Sequence, residues 1–428
     1  MSRRVFVVGA GVAGLAAAVQ AQRRGARVVL IEAAPNAGGR SRSYFDARLG
    51  ATVDNGSHLL LSGNHSTLAY LRTIGSADNL AGPTQPDYPF FDAHAGDAWT
   101  IRISPGRLPR WIFDADARVP ATQPADYLQL LPLFFAKPGR TIEQSMRASG
   151  RVWDRLARPL LRALLNADPS RASATLAANM LRETLVAGGQ ACRPLVARNG
   201  LAHAFVEPAL RLLQYGGAEI RLGARVAAIG LSGTDSRERV SSLAFDNAGE
   251  PVSIEPGDGV VLAVTPDAAR RLVPDVAAPD EFRAIATVHF AVDVPIAFAG
   301  SGRLTFFVSG ASDWLHASEG RLTATIADAD RLLATPHEDI AASVWRDVAK
   351  AARMPEAPMP PWQVVVEEQA TFAAVPSQEG LRAATRTRWQ NLTLAGDWTA
   401  TGLPATIEGA VRSGQKAADV LMNPSMEY

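Results

Sequence analysis

The sequence predicts an α/β fold in which a parallel sheet is joined to a mixed sheet and a helical cap. Three observations lead to this prediction. The chain begins with a strand, turn, helix and strand pattern, and its second half carries several short apolar or alternating segments typical of antiparallel strands. Between Pro124 and Gly188 it is rich in Leu, Ala and Arg with helical spacing, interrupted by prolines.

The first 32 residues predict one βαβ unit. Val5 to Val8 form a β-branched and aromatic run, residues 12–24 have helical spacing, and Val28 to Ile31 form a second run. Gly25 is a helix stop between them. We expect the two strands to be parallel, because a right-handed helical crossover of this length joins neighbouring parallel strands.

A glycine-rich turn lies between this first strand and helix. Gly9, Gly11 and Gly14 have the GxGxxG spacing, and Glu32 ends the second strand. In this context Gly9 permits the tight turn, Gly11 lets the backbone approach a pyrophosphate, and Gly14 brings helix and strand together. The carboxylate of Glu32 would bind the hydroxyls of a ribose and repel a ribose 2′-phosphate. The pattern predicts a Rossmann-like dinucleotide site, to which we also assign Ala13 and Ala33.

Further segments of the same α/β type occur later in the chain. A helix is predicted over 201–215, strands over 218–222, 225–231, 259–265 and 392–395, and a last helix over 407–422. Strands of the second sheet are predicted at 289–298, 303–309, 322–327 and 363–369. The predicted domains are therefore discontinuous: 1–80, 191–275 and 386–428 bind the dinucleotide, 81–190 form the substrate domain with its helical cap, and 276–385 form the substrate-domain sheet.

Motifs near both ends of the chain indicate which dinucleotide binds. The run VVGAGVAGLAAA, Glu32 and GGR at 38–40, together with LAGDW and LPATIEGA near the C-terminus, resemble the flavin amine oxidase and phytoene desaturase superfamily. The resemblance implies FAD, with Gly39 and Arg40 near its phosphates. It also implies contacts from these further residues: Gly56, Val226, Gly396, Asp397 and Ile407.

A nearer resemblance comes from VDNGSHLLL at 53–61 and LAGDWTATGLPATIEGAVRSG at 394–414. Both resemble the squalene-associated FAD-dependent desaturases, the hydroxysqualene dehydroxylase family, although Ser57 stands where that family usually has glutamine. The resemblance implies an isoprenoid substrate and reductive dehydroxylation of hydroxysqualene to squalene. The alternatives are a carotenoid-type desaturase, a flavin amine oxidase and a noncatalytic FAD-binding isoprenoid carrier.

Catalytic side chains are weakly marked, as expected where a cofactor performs the redox step. His58 is the first candidate for the proton donor and Glu408 the second. The alternatives are a His58 held by hydrogen bonds within its loop and a Glu408 that only favours its helix dipole. Cys192, the single cysteine, lies about 200 residues before the C-terminal motif, so we expect noncovalent FAD.

The amino-acid composition excludes several classes of binding partner. A net charge of +1 provides no bulk attraction for nucleic acid, and one cysteine with seven histidines predicts no metal site. The N-terminal apolar run meets Gln20, Gln22 and Arg23 too early for export or a membrane span. The apolar segment Tyr127 to Phe135, followed by Lys137 and Arg140, predicts either membrane-surface contact or a buried cap helix. We expect the protein in the cytoplasm or on the inner membrane face; no pattern specifies its oligomeric state.

Overall fold

The computed structural model describes residues 3–233, 238–246, 250–273, 275–292, 304–318, 320–354 and 357–423. The strands of this part of the chain are β1 Arg4–Val8, β2 Arg27–Ile31, β3 Ser43–Asp46, β4 Ala51–Asp54, β5 Leu60–Leu61, β6 Leu80–Ala81, β7 Asp87–Asp92, β8 Ala98–Arg102, β9 Pro194–Ala197, β10 Glu219–Arg221, β11 Val226–Ser232, β12 Arg239–Phe245, β13 Val252–Ser253, β14 Gly259–Leu262, β15 Phe282–Phe290, β16 Leu304–Val308, β17 Trp314–Ser318, β18 Arg321–Ile326, β19 Trp362–Phe372 and β20 Leu392–Leu394.

The α-helices are α1 Val12–Arg23, α2 His65–Thr73, α3 Ile142–Ser145, α4 Arg158–Leu165, α5 Ala174–Glu183, α6 Glu207–Tyr215, α7 Pro266–Leu272, α8 His337–Ala351, α9 Pro376–Glu379 and α10 Ile407–Met422. Short 3₁₀ turns lie at Gly39–Ser41, Ala77–Asn79, Arg110–Phe113, Gly189–Ala191 and Ala329–Leu332, and a longer 3₁₀ run spans Pro124–Phe135. Two π-helical turns, Trp153–Ala157 and Ala202–Val206, precede α4 and α6.

The five-stranded sheet has the order β10-β2-β1-β14-β20, and every neighbouring pair in it is parallel. Its strands come from three separate parts of the chain. β2 lies on one side of β1 and β14 on the other, so the strand order reverses at β1. Open parallel sheets bind ligands at the carboxyl ends of the strands where the order reverses. This position is therefore where a ligand is expected, next to Val8 and Leu262.

The seven-stranded sheet has the order β19-β15-β18-β17-β16-β7-β8 and is mixed, because only β16 and β7 run parallel. α8 covers it with an apolar face that includes Ile340, Val344 and Trp345. The predicted fold class, a parallel-sheet α/β domain with a mixed-sheet domain and a helical cap, is thereby confirmed. The domain boundaries given above stay predictions.

Some elements differ from the sequence prediction. The strand predicted at 289–298 ends at Phe290 and begins earlier, at Phe282; residues 293–298 lie outside the described residues. β7, β8 and β17 were not predicted, although β7 is rich in aromatic residues, which favour strands. In the cap, Pro124–Phe135 is a 3₁₀ run with Pro132 inside it, because proline removes a helical hydrogen bond and displaces the preceding turn.

The β3–β4 hairpin delivers the 55–59 loop to the ligand-binding edge of the parallel sheet. Ser43 donates to Asp54 Oδ1 at 2.6 Å, and Asp54 Oδ1 also accepts from the Leu201 amide at 2.8 Å. Just beyond it, Asn55 Nδ2 donates to Glu367 Oε2 of β19 at 2.8 Å. These contacts tie the loop to the turn before α6 and to the mixed sheet, so the following residues, Gly56 to Leu59, have a defined position. Among the described helices, none has the length and apolar content needed to span a bilayer.

Candidate active site

A cavity of about 800 Å³ opens where the strand order of the parallel sheet reverses. It is lined by nearly all the residues that the sequence assigns to cofactor or catalysis: Gly9, Gly11, Ala13, Glu32, Ala33, Gly39, Arg40, Gly56, His58, Val226, Gly396, Asp397, Ile407 and Glu408. Gly14 is the one assigned residue that does not line it. Residues from three distant parts of the chain therefore meet at one site.

The three glycines of the turn have different surroundings. Gly9 has φ +103°, and a Cβ there would lie 2.3 Å from the Ala263 carbonyl oxygen. A Cβ on Gly14 would lie 1.8 Å from the Gly9 oxygen, so Gly14 serves the packing of α1 on β1, as its spacing predicts. A Cβ on Gly11 would meet no protein atom within 4 Å. Gly11 therefore leaves space open toward the cavity, which suits close approach of a ligand to the backbone.

The Glu32 carboxylate is fixed by backbone amides. Its Oε2 accepts from the Ala10 amide at 2.7 Å and its Oε1 from the Ala34 amide at 2.8 Å. Each carboxylate oxygen has lone pairs beyond the one engaged here. The side chain is thus oriented at the cavity wall and retains acceptor capacity for the hydroxyls of a ribose.

Arg40 and Asp397 form an ion pair in the cavity wall, with Nη2 and Oδ1 2.7 Å apart. Arg40 Nη1 also donates to the Ala370 carbonyl at 2.5 Å. The carboxylate of Asp397 raises the pKa of Arg40 despite the cost of burial. The resemblance placed these residues separately near the cofactor; the structure joins the GGR loop to the C-terminal motif through them.

Two helices direct their N-termini at the cavity. α1 has Gly11 as its N-cap without a side-chain cap, and α10 begins after Thr406, whose Oγ1 accepts from the Gly409 amide at 3.0 Å. The first amides of a helix have no partner within it and carry a partial positive charge. Gly414 allows this arrangement, since a Cβ there would lie 2.1 Å from the Ala13 oxygen. The two helix ends provide donors for anionic groups.

His58 lines the cavity, and no group in the described part of the chain forms a hydrogen bond with its imidazole. Burial lowers its pKa to about 4, and the positive charge of Arg40 adds to this effect, while Asp397 opposes it. The imidazole is therefore neutral at physiological pH. A neutral ring has one N–H donor and one acceptor nitrogen. The alternative of a His58 held by hydrogen bonds within its loop has no support among these contacts.

Glu408 has four hydrogen-bond donors around its carboxylate and is 1% exposed. Oε2 accepts from the amide and the hydroxyl of Thr67, both at 2.8 Å, and Oε1 accepts from the Ser66 amide at 3.0 Å and Arg412 Nη2 at 3.1 Å. Ser66 and Thr67 belong to the first turn of α2. The Glu408 carboxylate of α10 thus caps the N-terminus of α2. These contacts favour a positioning role for Glu408 over proton transfer.

Replacing Glu408 by alanine should lower the free energy of unfolding by about 3 kcal/mol, because buried amides of α2 and the Arg412 charge lose their acceptor. Glu408→Gln should recover part of this loss and keep a normal rate per bound FAD. Urea unfolding measures the first effect. Glu219→Gln, which removes an exposed ion pair with Arg221, is the control and should change stability by less than about 1 kcal/mol. A catalytic Glu408 would instead lose rate in Glu408→Gln at unchanged stability.

Arg382 is a buried positioning residue that the sequence did not mark. Its Nη2 donates to the carbonyls of Asp397 at 2.9 Å and Thr399 at 2.5 Å, and its Nε to the Trp398 carbonyl at 3.3 Å. Burial lowers the pKa of Arg382 to about 10. It therefore holds the 397–399 turn in place beneath Asp397. None of the motifs described above includes Arg382, so no local pattern in the sequence singles it out.

The groups that line the cavity suit the binding of FAD. An oriented carboxylate for a ribose, a turn with space at Gly11, and two helix N-termini for anionic groups all line one continuous volume. Glu32, the turn at Gly9 and Gly11, and the start of α10 are the groups that would hold it. Cys192 lies outside this lining, which accords with noncovalent attachment.

Comparisons with known proteins agree with this geometry. The family model described as flavin containing amine oxidoreductase matches residues 12–422. The hydroxysqualene dehydroxylase of Rhodopseudomonas palustris is 47% identical over 422 residues, and that of Sinorhizobium fredii is 45% identical over 423, each match covering 99% of both chains.

Among solved structures, cyclohexylamine oxidase from Brevibacterium oxydans shares the fold with a TM-score of 0.69 at 17% identity, and the match covers 99% of both chains. The expected family and the FAD cofactor are thus confirmed. The chain belongs to the flavin-containing amine oxidoreductase family and is an FAD-dependent oxidoreductase.

Proposed function

We propose that this protein reductively dehydroxylates hydroxysqualene to squalene. One structural observation carries the proposal: the cofactor cavity lies next to an apolar pocket beneath the cap, and four residues line both, Leu59, Leu61, Leu164 and Thr184. A dinucleotide site beside a hydrocarbon-lined volume suits a long isoprenoid substrate. The names of the relatives, which match over the full chain, support the same substrate.

The reaction needs a C–O bond broken and a C–H bond formed. Hydroxysqualene, one hydride and one proton give squalene and water. Reduced FAD, when bound, would supply the hydride and, in its neutral dihydro form, the proton. The protein must bind the substrate, exclude water from the reacting carbon and assist the hydroxyl group as it leaves.

His58 is the residue that we propose for this assistance. It lines the cavity next to Leu59, which lines both cavity and apolar pocket, and neither of its ring nitrogens forms a hydrogen bond with the residues that the structure describes. A neutral imidazole donates a hydrogen bond to the hydroxyl oxygen and polarises the C–O bond as water forms. Burial, with a smaller contribution from the positive charge of Arg40, lowers the pKa of His58 and keeps the ring neutral, so its N–H donor is present at physiological pH.

Anaerobic incubation with hydroxysqualene tests the proposal against its alternatives. Purified protein reduced with dithionite should convert hydroxysqualene to squalene, detected by gas chromatography with mass spectrometry. A carotenoid-type desaturase would instead oxidise a polyene hydrocarbon with oxidised FAD, and an amine oxidase would consume an amine. A noncatalytic carrier would bind the isoprenoid and return it unchanged.

We further propose that the cap meets an anionic membrane surface. The proposed surface, called the cap patch, comprises five exposed apolar residues from neighbouring segments: Leu108, Phe113, Leu128, Leu131 and Phe135, of which Phe135 is 82% exposed. The two 3₁₀ segments that carry most of them pack together through the rings of Trp111 and Tyr127, 5.2 Å apart. Isolated exposed apolar residues are common, but a group of this size marks an interaction surface.

Charge around the cap patch favours anionic lipid as the partner. Arg107, Arg110, Lys137 and Arg140 are exposed, and within the described ranges their side chains have no ion pair or hydrogen bond. Three exposed acids lie near these residues in the sequence. Asp126 caps the 3₁₀ run, while Asp114 and Asp116 follow Phe113 and offset part of the basic charge. Basic side chains beside an apolar surface attract anionic headgroups by about 1 kcal/mol each.

The structure shows which residues of the Tyr127 to Phe135 segment a test should alter. Leu133 is 1% exposed and Phe134 lines the apolar pocket, so only Phe135 of the three residues at 133–135 faces outward. The variant Leu128→Ser, Leu131→Ser, Phe135→Ser should lose at least about tenfold in binding to phosphatidylglycerol vesicles, measured by co-sedimentation, while flavin content stays normal. Tyr215→Ser, which removes an exposed aromatic ring from α6, is the control. Equal vesicle binding by the triple variant and the control would refute the contact.

A further inference from the structure

The apolar pocket beneath the cap is enclosed by the cap and by strands of the mixed sheet. Leu130, Leu133 and Phe134 of the 3₁₀ run form one side, and Tyr88 of β7 and Ile101 of β8 lie in the opposite wall. Its volume is about 100 Å³. We call it the side pocket, to distinguish it from the cofactor cavity.

Two of the polar groups in its wall are hydrogen-bonded within the protein, whereas the indole Nε1 of Trp111, which also lines the pocket, has no hydrogen-bond partner among the described residues. The Tyr88 hydroxyl donates to the Cys192 carbonyl, and the Thr184 hydroxyl donates to the Met180 carbonyl at 2.8 Å. Burial raises the pKa of the Cys192 thiol to about 12, so it is uncharged. The remaining lining is dominated by leucine and aromatic side chains. A volume of this kind favours a hydrocarbon and disfavours water, which needs several polar partners.

We infer that the side pocket is a subsite for one end of the hydrocarbon chain of the substrate, because its volume of about 100 Å³ holds only a short part of that chain; Leu164 and Thr184 lie where the pocket borders the cofactor cavity. The inference rests on the proposed function and adds where the hydrocarbon part of the substrate binds. A substrate whose hydroxyl lies at His58 extends past Leu59 into this pocket, because Leu59 borders both volumes. The polar and apolar parts of the substrate are then sorted by the two linings.

The same 3₁₀ run separates the side pocket from solvent. Its inner residues, Leu130, Leu133 and Phe134, line the pocket, and its outer residues, Leu128, Leu131 and Phe135, belong to the cap patch. A hydrocarbon held in the side pocket is therefore separated from the proposed membrane contact by one layer of amino-acid side chains. This arrangement gives an insoluble hydrocarbon a short route between the two.

Cys192 provides a direct test, because it lines the side pocket and is the single cysteine of the chain. FAD-loaded protein in detergent micelles is treated with methyl methanethiosulfonate at pH 9, with or without squalene, and modification is followed by mass spectrometry. Squalene should slow the modification at least tenfold compared with micelles alone. Equal rates would overturn the inference. Cys192→Ser, which should gain no label, verifies the site of reaction.

A junction variant tests the route into the side pocket. Leu164→Phe adds bulk where the two volumes meet, so it should retain FAD but lose the protection of Cys192 by squalene. Retained protection in a folded, yellow Leu164→Phe protein would contradict the proposed junction. Because protection reports binding and not turnover, a protein that protects Cys192 but forms no squalene refutes the proposed function and leaves the subsite intact. Squalene formation without protection of Cys192 would instead support the proposed function and refute the subsite.

Discussion

Gly11→Val should yield folded protein without flavin colour. The Cβ at this position meets no protein atom within 4 Å, and Gly11 has an extended backbone with φ −69°. The branched side chain is therefore tolerated by the protein itself and occupies the space that the cofactor needs at the turn. Flavin content per mole of protein, measured by absorbance after denaturation, should fall at least tenfold while the far-ultraviolet circular dichroism is unchanged.

Gly106→Val is the matched control. A Cβ at Gly106 also meets no protein atom within 4 Å, but this glycine lies outside the cavity lining. The control should retain normal FAD content. Full flavin occupancy in Gly11→Val would show that the cofactor does not approach this turn, and the assignment of the glycine motif would be wrong.

His58→Ala should retain FAD and lose rate by about 10²–10³-fold, because one preorganised donor to the leaving oxygen is removed. The measurement is the rate of squalene formation per bound FAD. His58→Gln, which keeps an N–H donor, should recover part of the rate. An alanine variant within threefold of wild type would exclude His58 from the chemistry.

The pH dependence tests whether His58 acts as the neutral ring. Its pKa is lowered to about 4, below the ordinary 6.5, so protonation sets in only as the pH falls toward 4. Between pH 5.5 and 8 the rate should show no step that belongs to His58. A step near pH 6.5 that is absent in His58→Gln would instead indicate that the imidazolium is the active form.

The parallel sheet and its ligand edge followed from local patterns in the sequence. The turn at Gly9 to Gly14, Glu32 and the start of α10 are each determined by neighbours in the chain, and they meet because parallel strands bring their carboxyl ends to one edge. These are the features that short-range periodicity and glycine spacing specify. The sequence also assigned Gly14 to the cofactor site; the structure places it outside the cavity lining, where it serves the packing of α1 on β1.

Long-range contacts were not predictable in this way. Glu408 caps α2, which lies about 340 residues earlier in the chain, and Arg40 pairs with Asp397 across a similar separation. Arg382 looks like any other arginine until the turn that it holds is seen. In the cap, local pattern could not decide which side of Pro124–Phe135 faces outward, because a 3₁₀ run with an internal proline departs from the helical period of 3.6.

Anaerobic single-turnover spectroscopy tests the central claim most directly. Protein whose FAD has been fully reduced is mixed with hydroxysqualene, and the absorbance of oxidised flavin is followed together with product. The proposed function predicts that the oxidised spectrum returns and that one squalene forms for each FAD oxidised. A flavin that stays reduced in the presence of bound hydroxysqualene, with no squalene formed, would contradict the claim.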